Sequence, residues 1–299
     1  MSTAISAETG RPFGVERVCS AWNLPRSSYY ALRSQDAFVG PLAPLEKRGP
    51  KTAISDEALL EHIRSDIARS PFHGEGHRKI WARLRVRDGI RVGRKRALRV
   101  MRDSQLLSPY RGRQGDPVAH DGTIITNAPN VMWGTDGARI FTVDDGWVWL
   151  FSAIEHWNAE CVGWHVCKEG NRFAALEPIA MGMTRIYGST SADAARGLSL
   201  RMDHGTQYLS DYFLNQVRFW GMTPSFAFIA EPQTNGVAER FNRTIKEQAI
   251  FGRVFKNVRE VQVAVGDFVT NYNNHWLLEK LDFKSPIQAR QGLLIGLAA

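Results

Sequence analysis

Two acidic residues in the second half of the chain, Asp203 and Glu239, are separated by thirty-five residues, and a third, Asp136, lies upstream in the segment VMWGTDGARIF. Phosphoryl transfer with two divalent metals needs several carboxylates at one point, because hard cations such as Mg²⁺ take oxygen ligands and keep some of their waters. Three acids on separate elements can provide such a point. Their types and spacing therefore indicate metal-dependent phosphoryl transfer.

Each acid also has a simpler interpretation. An Asp after a short apolar run is usually a strand-end or turn residue, and a Glu in the first turn of a helix usually interacts with the macrodipole. The flanking residues favour the functional interpretation. Gly205 follows directly after His204, where a strand leaving a sheet edge must let another backbone approach. The segment PQTNG ahead of Glu239 is predicted to start a helix, with Asn235 as its N-cap.

The three acids, with thirty-five residues between the last two, resemble the DDE integrase core that retroviral integrases share with many bacterial transposases. The closer match is to the second-frame (OrfB) transposases of the insertion-sequence family called IS-three, over roughly residues 13–292. This resemblance implies a ribonuclease-H-like fold. It implies that Asp136, Asp203 and Glu239 are both the catalytic residues and the ligands of two Mg²⁺ ions, which Mn²⁺ can replace. The implied reaction cuts DNA with water and joins it through a freed 3′-hydroxyl.

The chain departs from the family pattern in two places near the first acid. TDGARI stands where the family often has TDIT, so Gly137 and Ala138 replace bulkier residues. Glu155 stands where an Asp is common. Neither change touches the three acids. The downstream segment NYNNHWLLEKLDFKSPIQAR resembles the family's C-terminal pattern of a Tyr-Asn helix end followed by a Ser-Pro restart.

The helix that carries Glu239 is predicted to be long and to bring two cations beside the acid. Residues three and four apart share one helix face, which aligns Glu239, Arg243 and Lys246. Three apolar residues are expected to turn inward to the sheet: Val237, Phe241 and Ile245. The cations could be ion-pair partners of Glu239. The matching positions of retroviral integrases are basic and contact the viral DNA end, which implies DNA contacts here; we also assign Asn235 to DNA binding.

The region from residue 76 to 113 contains thirteen Lys or Arg against two Asp, a balance of +11 that exceeds the chain's net +8 and leaves the remainder slightly acidic. Two helical patterns in this region flank DGIRVG and resemble the family's helix-turn-helix stretch. A solvated helix face is the alternative, but charges this dense repel one another unless a polyanion neutralises them. We therefore predict a DNA-binding module with these contacts: Arg78, Lys79, Arg94, Lys95, Arg96 and Arg99.

Length and composition agree with a DNA-binding enzyme. A chain of 299 residues with 43% hydrophobic residues can form one sizeable core and a smaller module. No apolar run has the length of a membrane span, and the N-terminus lacks the hydrophobic segment of a signal peptide. We expect a soluble protein in the bacterial cytoplasm, associated with the nucleoid and not with a membrane.

The three cysteines, Cys19, Cys161 and Cys167, cannot all pair, and their spacing is not that of a zinc site. Cys161, His165 and Cys167 are predicted to share one face of a strand. They could bind a metal there, but packing is the preferred interpretation.

The order of the predicted elements indicates an α/β core preceded by a small all-α module. Three strand-like runs read as an antiparallel meander, and helices alternating with strands follow, which gives a mixed sheet flanked by helices. We predict an N-terminal helical segment and linker (1–52), a basic helix-turn-helix-like module (53–113), a second linker (114–129) and the ribonuclease-H-like core (130–292).

Three functions remain open on the sequence alone. The first is a transposase acting on the terminal inverted repeats of its element and on target DNA. Its partner would be an upstream-frame OrfA protein, or a fusion with it, and it would form a homo-oligomer on DNA. The second is a catalytically inactive, transposase-derived DNA-binding protein, and the third is a ribonuclease-H-type nuclease that cuts without joining.

Overall fold

The computed structural model describes residues 2–36, 53–109, 124–227 and 235–298. The chain divides into two compact units, Met1–Thr52 and Ala53–Ala299. The first unit contains the short helices α1 (Gly14–Ala21) and α2 (Arg26–Asp36). Most of the two predicted linkers, residues 37–52 and 114–123, lies outside the described residues. Within the described part of the chain, no helix is both long and apolar enough to cross a membrane.

The second unit begins with three helices, α3 (Asp56–Arg69), α4 (His77–Val86) and α5 (Arg94–Asp103). Ser55 caps α3 by accepting a hydrogen bond from the backbone N–H of Ala58. The three helices pack around one small apolar cluster, whose buried members are Leu59, Ile63, Ile80, Leu84, Val100 and Met101. Residues 87–93 join α4 to α5, and this pair has the predicted helix-turn-helix form.

The core is a five-stranded sheet in the order β3-β2-β1-β4-β5. Its strands are β1 (Met132–Thr142), β2 (Gly146–Glu155), β3 (Cys161–Cys167), β4 (Ser199–Met202) and β5 (Thr223–Phe226). The first three form the predicted antiparallel meander, whereas β4 is parallel to both β1 and β5. This mixed sheet, preceded by a small all-α module, confirms the predicted fold class.

Helices cover both faces of the sheet. On one face α6 (Arg172–Tyr187) and α7 (Asp211–Phe219) pack over a cluster that includes Trp133 and Phe151. On the other face α8 (Gly236–Ile245) and α9 (Val258–His275) pack over a cluster that includes Leu150 and Phe241. A 3₁₀ turn (Glu279–Leu281) and helix α10 (Pro286–Ala298) follow α9. Two-sided burial explains why β2, at the centre of the meander, is apolar with few interruptions.

The helical module and the core belong to the same compact unit. Phe72 lies in the apolar cluster beneath α8 and α9, with its ring edge-on to Trp276 at 4.8 Å between ring centres. Trp81 makes a similar contact with Phe283 at 5.8 Å. The backbone N–H of His73 donates to the Gln248 side chain at 2.8 Å. These contacts fix the module against the α8–α9 face of the core.

Two predictions about individual elements are wrong. The helix with Glu239 is not one long α-helix, because it becomes a π-helix over Lys246–Ile250, where the N–H of Phe251 donates to the carbonyl of Lys246 at 2.7 Å. The residues Cys161, His165 and Cys167 do not share a face. The pairing of β2 with β3 shifts register beside Cys161, and this irregularity places Cys161 in the α8–α9 cluster and Cys167 against the α6–α7 cluster.

Candidate active site

Asp136 and Asp203 lie at the same level on neighbouring parallel strands. Asp136 is in β1, and Asp203 directly follows β4. Gly134 pairs with Arg201 in the register of these strands, so the two acids lie level, two residues further along each chain. Adjacent strands are about 4.8 Å apart, so the two acids are neighbours across β1 and β4. The backbone N–H of Gly205 donates to Asp203 Oδ1 at 2.9 Å.

Glu239 lies in the first turn of α8, and this helix is tied to the strand of the first acid. The side-chain amide of Asn242, one turn after Glu239, donates to Asp136 Oδ2 at 2.8 Å. The hydroxyl of Ser152 on β2 donates to Asn242 Oδ1 at 3.3 Å. Asn242 is buried, so these bonds are shielded from water. Glu239 is exposed on α8, and its charge interacts with those of the two aspartates.

Asn235 makes a second connection between α8 and β1. It occupies the N-cap position of α8 as predicted, although its side chain makes no capping hydrogen bond. Its side-chain amide instead donates to the carbonyl of Thr135 at 3.0 Å, next to Asp136. The side chain is buried, and its Oδ1 would lie only 2.9 Å from a Cβ added at Gly134. The helix start therefore packs on β1 more closely than any residue other than glycine would allow.

The electrostatics of the three acids show that they act on one another. Burial is the main cause of a raised pKa of Asp136, to which the negative charge of Asp203 adds. The bonds from Asn242 and from the N–H of Gly137 oppose this increase, as does the charge of Lys246. Burial also raises the pKa of Glu239, and the charges of Asp136 and Asp203 raise it further. Burial is thus the main cause of both raised pKa values, and the charges of neighbouring carboxylates add to it.

The three acids supply the ligand chemistry of a hard cation. All their side-chain donors are oxygens, and a divalent ion would relieve the repulsion that raises two of the pKa values. Among the described residues, no three His, Cys, Asp or Glu side chains are close enough together to hold an ion as they stand. The donor set therefore fits Mg²⁺ in its chemistry, while the acids form an open arrangement and not a closed cage.

The two cations predicted to lie beside Glu239 differ in their surroundings. Arg243 is exposed and pairs with Glu247 at 2.9 Å, one turn further along. Lys246 is half-buried at the start of the π-helix, and its charge reaches Asp136. Phe241 and Ile245 are buried as predicted, and Val237 is partly buried against the same cluster.

Four predicted DNA contacts in the helical module are held by acidic residues of the chain itself. Arg96 donates to Asp56 at 2.8 Å and to the carbonyl of Ile54 at 2.7 Å, which ties α5 to the start of α3. Arg99 reaches the second oxygen of Asp56 at 2.7 Å. The other two, Arg78 and Arg94, both pair with Glu279 of the core.

The remaining two predicted contacts lie at opposite extremes of exposure. Lys79 is mostly buried, where it pairs with Glu75 and lies over the ring of Trp276. Lys95 is exposed on α5 and forms no ion pair with the described residues. Spacings of four and three from Lys95 lead to Arg99 and Arg102, both exposed, so α5 presents a basic stripe. Arg102 was not among the predicted contacts, although its helical spacing from Lys95 could have indicated it.

Sequence reasoning also missed the residues that hold the site together. Asn242 and Ser152 carried no local signal. Glu155, which stands where the family has an Asp, is fully buried and accepts hydrogen bonds from the N–H groups of Asn130, Trp157 and the Trp133 indole. It therefore ties the end of β2 to Trp133 on β1 and to the two backbone segments around Asn130 and Trp157.

Comparison with known proteins gives matches along most of the chain. Residues 55–114 match the family described as HTH-like domain, and residues 221–290 match the family described as Integrase core domain. The chain is 26% identical over 291 residues to the transposase for insertion sequence element IS629 of Shigella sonnei, covering 93% of this chain and 92% of that protein. It is 27% identical over 249 residues to the Escherichia coli transposase InsD for insertion element IS2A/D/F/H/I/K, covering 80% and 78%.

Among solved structures, the HTLV-2 integrase catalytic core domain in complex with magnesium aligns with 55% of this chain and 97% of its own. The identity is 14% and the TM-score is 0.41.

Proposed function

We propose that the chain, which is similar to insertion-sequence transposases and is consistent with the IS-three family, cleaves DNA strands at the ends of its element and joins them by metal-dependent phosphoryl transfer. The observation that carries this proposal is the convergence of Asp136, Asp203 and Glu239. Two of them lie level on neighbouring strands, and the pKa of the third is raised by burial and further by the charges of these two. Such coupled carboxylates are typical of active sites.

In this proposal Asp136, Asp203 and Glu239 hold two Mg²⁺ ions, for which Mn²⁺ can substitute. Bound there, the ions would activate water or a 3′-hydroxyl and stabilise the charge on the leaving oxygen. The open arrangement of the acids suits ions that keep water or substrate oxygens in their coordination sphere.

The chain's own residues orient the acids. Asp136 Oδ1 accepts the N–H of Gly137 at 2.8 Å, and its Oδ2 accepts the Asn242 amide. Both bonds favour the ionised form of this carboxylate, and each of its oxygens keeps a lone pair for a metal ion. Arg243 and Lys246 follow Glu239 on the same helix, and we assign them to the phosphates of the strand that is cut.

DNA is held chiefly by the helix-turn-helix-like domain. In this domain α5 is the second helix of the α4–α5 pair. It exposes Lys95, Arg99 and Arg102 on one face, while Ala97, Val100 and Met101 on the opposite face are buried. Helix-turn-helix proteins place this second helix in the major groove, with cations on the phosphates alongside. We propose that α5 binds the terminal inverted repeats in this way.

The wider assembly is also part of the proposal. The chain acts on inverted repeats and target DNA as a homo-oligomer, with an upstream-frame OrfA partner or as a fusion with it. It works in the bacterial cytoplasm at the nucleoid.

A strand-transfer assay tests the proposed reaction. The substrate is a labelled duplex that contains one of the terminal inverted repeats flanking the gene and ends in a free 3′-hydroxyl. The target is an unlabelled plasmid. With Mg²⁺ present, the label should become covalently joined to the plasmid. Cutting without joining would identify a nuclease, and binding without either would identify an inactive DNA-binding protein.

A further inference from the structure

Glu279 of the core forms a bridge between two arginines of the helix-turn-helix-like domain. Its Oε2 lies 2.5 Å from Arg78 of α4, and its Oε1 lies 3.6 Å from Arg94 of α5. The three residues come from distant parts of the sequence, since 201 positions separate Arg78 from Glu279. One carboxylate therefore occupies the space between cations from both helices of the DNA-binding pair.

Two members of this ion bridge, Arg78 and Glu279, form part of the wall of a cavity of about 330 Å³ between the helix-turn-helix-like domain and the core. The other charged side chains in the wall are all cations: Lys79, Arg240 and Lys280. Gly236 and Val237 at the start of α8 also line it. The cavity thus connects the DNA-binding helices to the helix that carries Glu239, and its wall has four cations against one acid.

Glu279 is a replaceable occupant of this position. The side chains of Glu279, Arg78 and Arg94 are 49%, 48% and 51% exposed, respectively. Ion pairs this exposed contribute little to stability, because water and salt screen them and long side chains lose entropy on pairing. A phosphate has a similar shape and charge and offers more acceptor oxygens, so it competes well for an arginine pair.

We propose that a phosphate of bound DNA displaces Glu279 from Arg78 and Arg94, and that Glu279 acts as an internal competitor which lowers DNA affinity until this displacement occurs. The proposal rests on the proposed function, since it requires that the chain binds DNA. The ligand class is a phosphodiester of duplex DNA. Its position beside Gly236 and Arg240 would place the bound backbone next to α8.

The test is the DNA affinity of Glu279→Gln, measured by fluorescence anisotropy with a labelled duplex of mixed sequence over a series of salt concentrations. Removing the competing carboxylate should increase affinity by about three- to tenfold at low salt and steepen the salt dependence by about one to two counterions, because the two arginines become available to phosphates. Asp193→Asn is the matched control, because it removes one negative charge and releases Arg196 from an exposed ion pair on the core.

The double variant Glu279→Gln with Arg78→Ala separates the proposed site from a general charge effect. The gain should disappear in the double variant, whereas Arg78→Ala alone should change wild-type affinity by about twofold or less, because Glu279 already occupies that arginine. A gain that equals that of Asp193→Asn, or one that survives loss of Arg78, would overturn the proposal. An unchanged or weaker affinity of Glu279→Gln would do the same.

The assay also distinguishes this inference from the function beneath it. If the wild-type protein binds the duplex and Glu279→Gln does not differ from it, only the competitor role of Glu279 is wrong. If neither protein binds the duplex at any salt concentration, the DNA-binding function itself is wrong. Melting temperatures of all variants, measured alongside, should stay close to that of the wild type, since the bridge is exposed.

Discussion

The side-chain amide of Asn242 donates to the carboxylate of Asp136 at 2.8 Å, across 106 positions of sequence. This bond joins the helix of the third acid to the strand of the first. Asn242 also accepts from Ser152 on β2, so one buried side chain links α8 to two strands. The relative position of Asp136 and Glu239 therefore depends on Asn242.

Asn242→Ala should reduce DNA cleavage by about tenfold or more while leaving DNA binding close to wild type. The Asn242 bond lowers the pKa of Asp136, so its loss should move the acidic limb of the pH–rate profile to higher pH. Asn274→Ala is the control, since Asn274 makes only a local bond to the carbonyl of Thr270. An unshifted pH profile with a lower melting temperature would reduce Asn242 to a packing residue.

Asp136→Asn should raise the melting temperature of the metal-free protein at neutral pH. Because the pKa of Asp136 is raised in the folded state, the folded protein binds the proton more tightly than the unfolded chain. The free energy of unfolding therefore falls as pH rises from the pKa of Asp136 in the unfolded chain through its raised pKa in the folded protein. The uncharged amide removes this cost. Mg²⁺ should raise the melting temperature of the wild type but not of the variant. An equal increase in melting temperature with Mg²⁺ in both proteins would show that the ion binds at a site without Asp136.

The joint substitution of Lys95 and Arg102 by Ala should weaken DNA binding by about tenfold. It should also flatten the salt dependence by about two counterions, because two phosphate contacts that release counterions on binding are removed. Both side chains are exposed and form no ion pair with the described residues, so the melting temperature should not change. Arg96→Ala is the contrasting variant. It breaks the bonds to Asp56 and Ile54, so it should lower stability first. If Arg96→Ala weakened DNA binding without loss of stability, while the Lys95 and Arg102 variant bound DNA normally, the exposed stripe of α5 would not be the phosphate-binding face.

Arg243→Ala combined with Lys246→Ala should lower cleavage of the element end far more than it lowers stability. Arg243 pairs only with Glu247 on the surface, an interaction that contributes about 0.3–0.5 kcal/mol in an exposed helix. A single-turnover cleavage assay with a thermal melt distinguishes the two roles. Unchanged cleavage, or a large fall in melting temperature, would leave both residues as structural surface charges.

The parts of this protein that could be predicted are those with a local signal. The spacing of Asp203 and Glu239, the Ser55 cap and the inward face of Phe241 and Ile245 all depend on residues close in sequence. The meander of β1 to β3 follows from apolar runs and turns. Local propensity and hydrophobic period are sufficient for such features.

The partners of the charged and amide side chains could not be predicted, because they come from distant segments. Nothing near Arg96 indicates Asp56, and nothing near Asn242 indicates Asp136. A dense run of cations predicts a polyanion on average, but each arginine pairs with whichever acid the fold brings near it. The register irregularity beside Cys161 is likewise a property of pairing between two strands. Asn235 has the residue type of a cap, yet tertiary contact with Thr135 takes its amide instead.

The central claim is that Asp136, Asp203 and Glu239 together form one metal-dependent site that cuts and joins DNA. The most direct measurement is cleavage and strand transfer by Asp136→Asn, Asp203→Asn and Glu239→Gln, each tested with Mg²⁺ and Mn²⁺ beside a duplex-binding assay. The account predicts that every one of the three variants loses both activities and keeps DNA affinity within about twofold of the wild type, because a ligand charge is removed from a site that faces solvent. Substantial cleavage or joining by any one of them would contradict the claim for that residue.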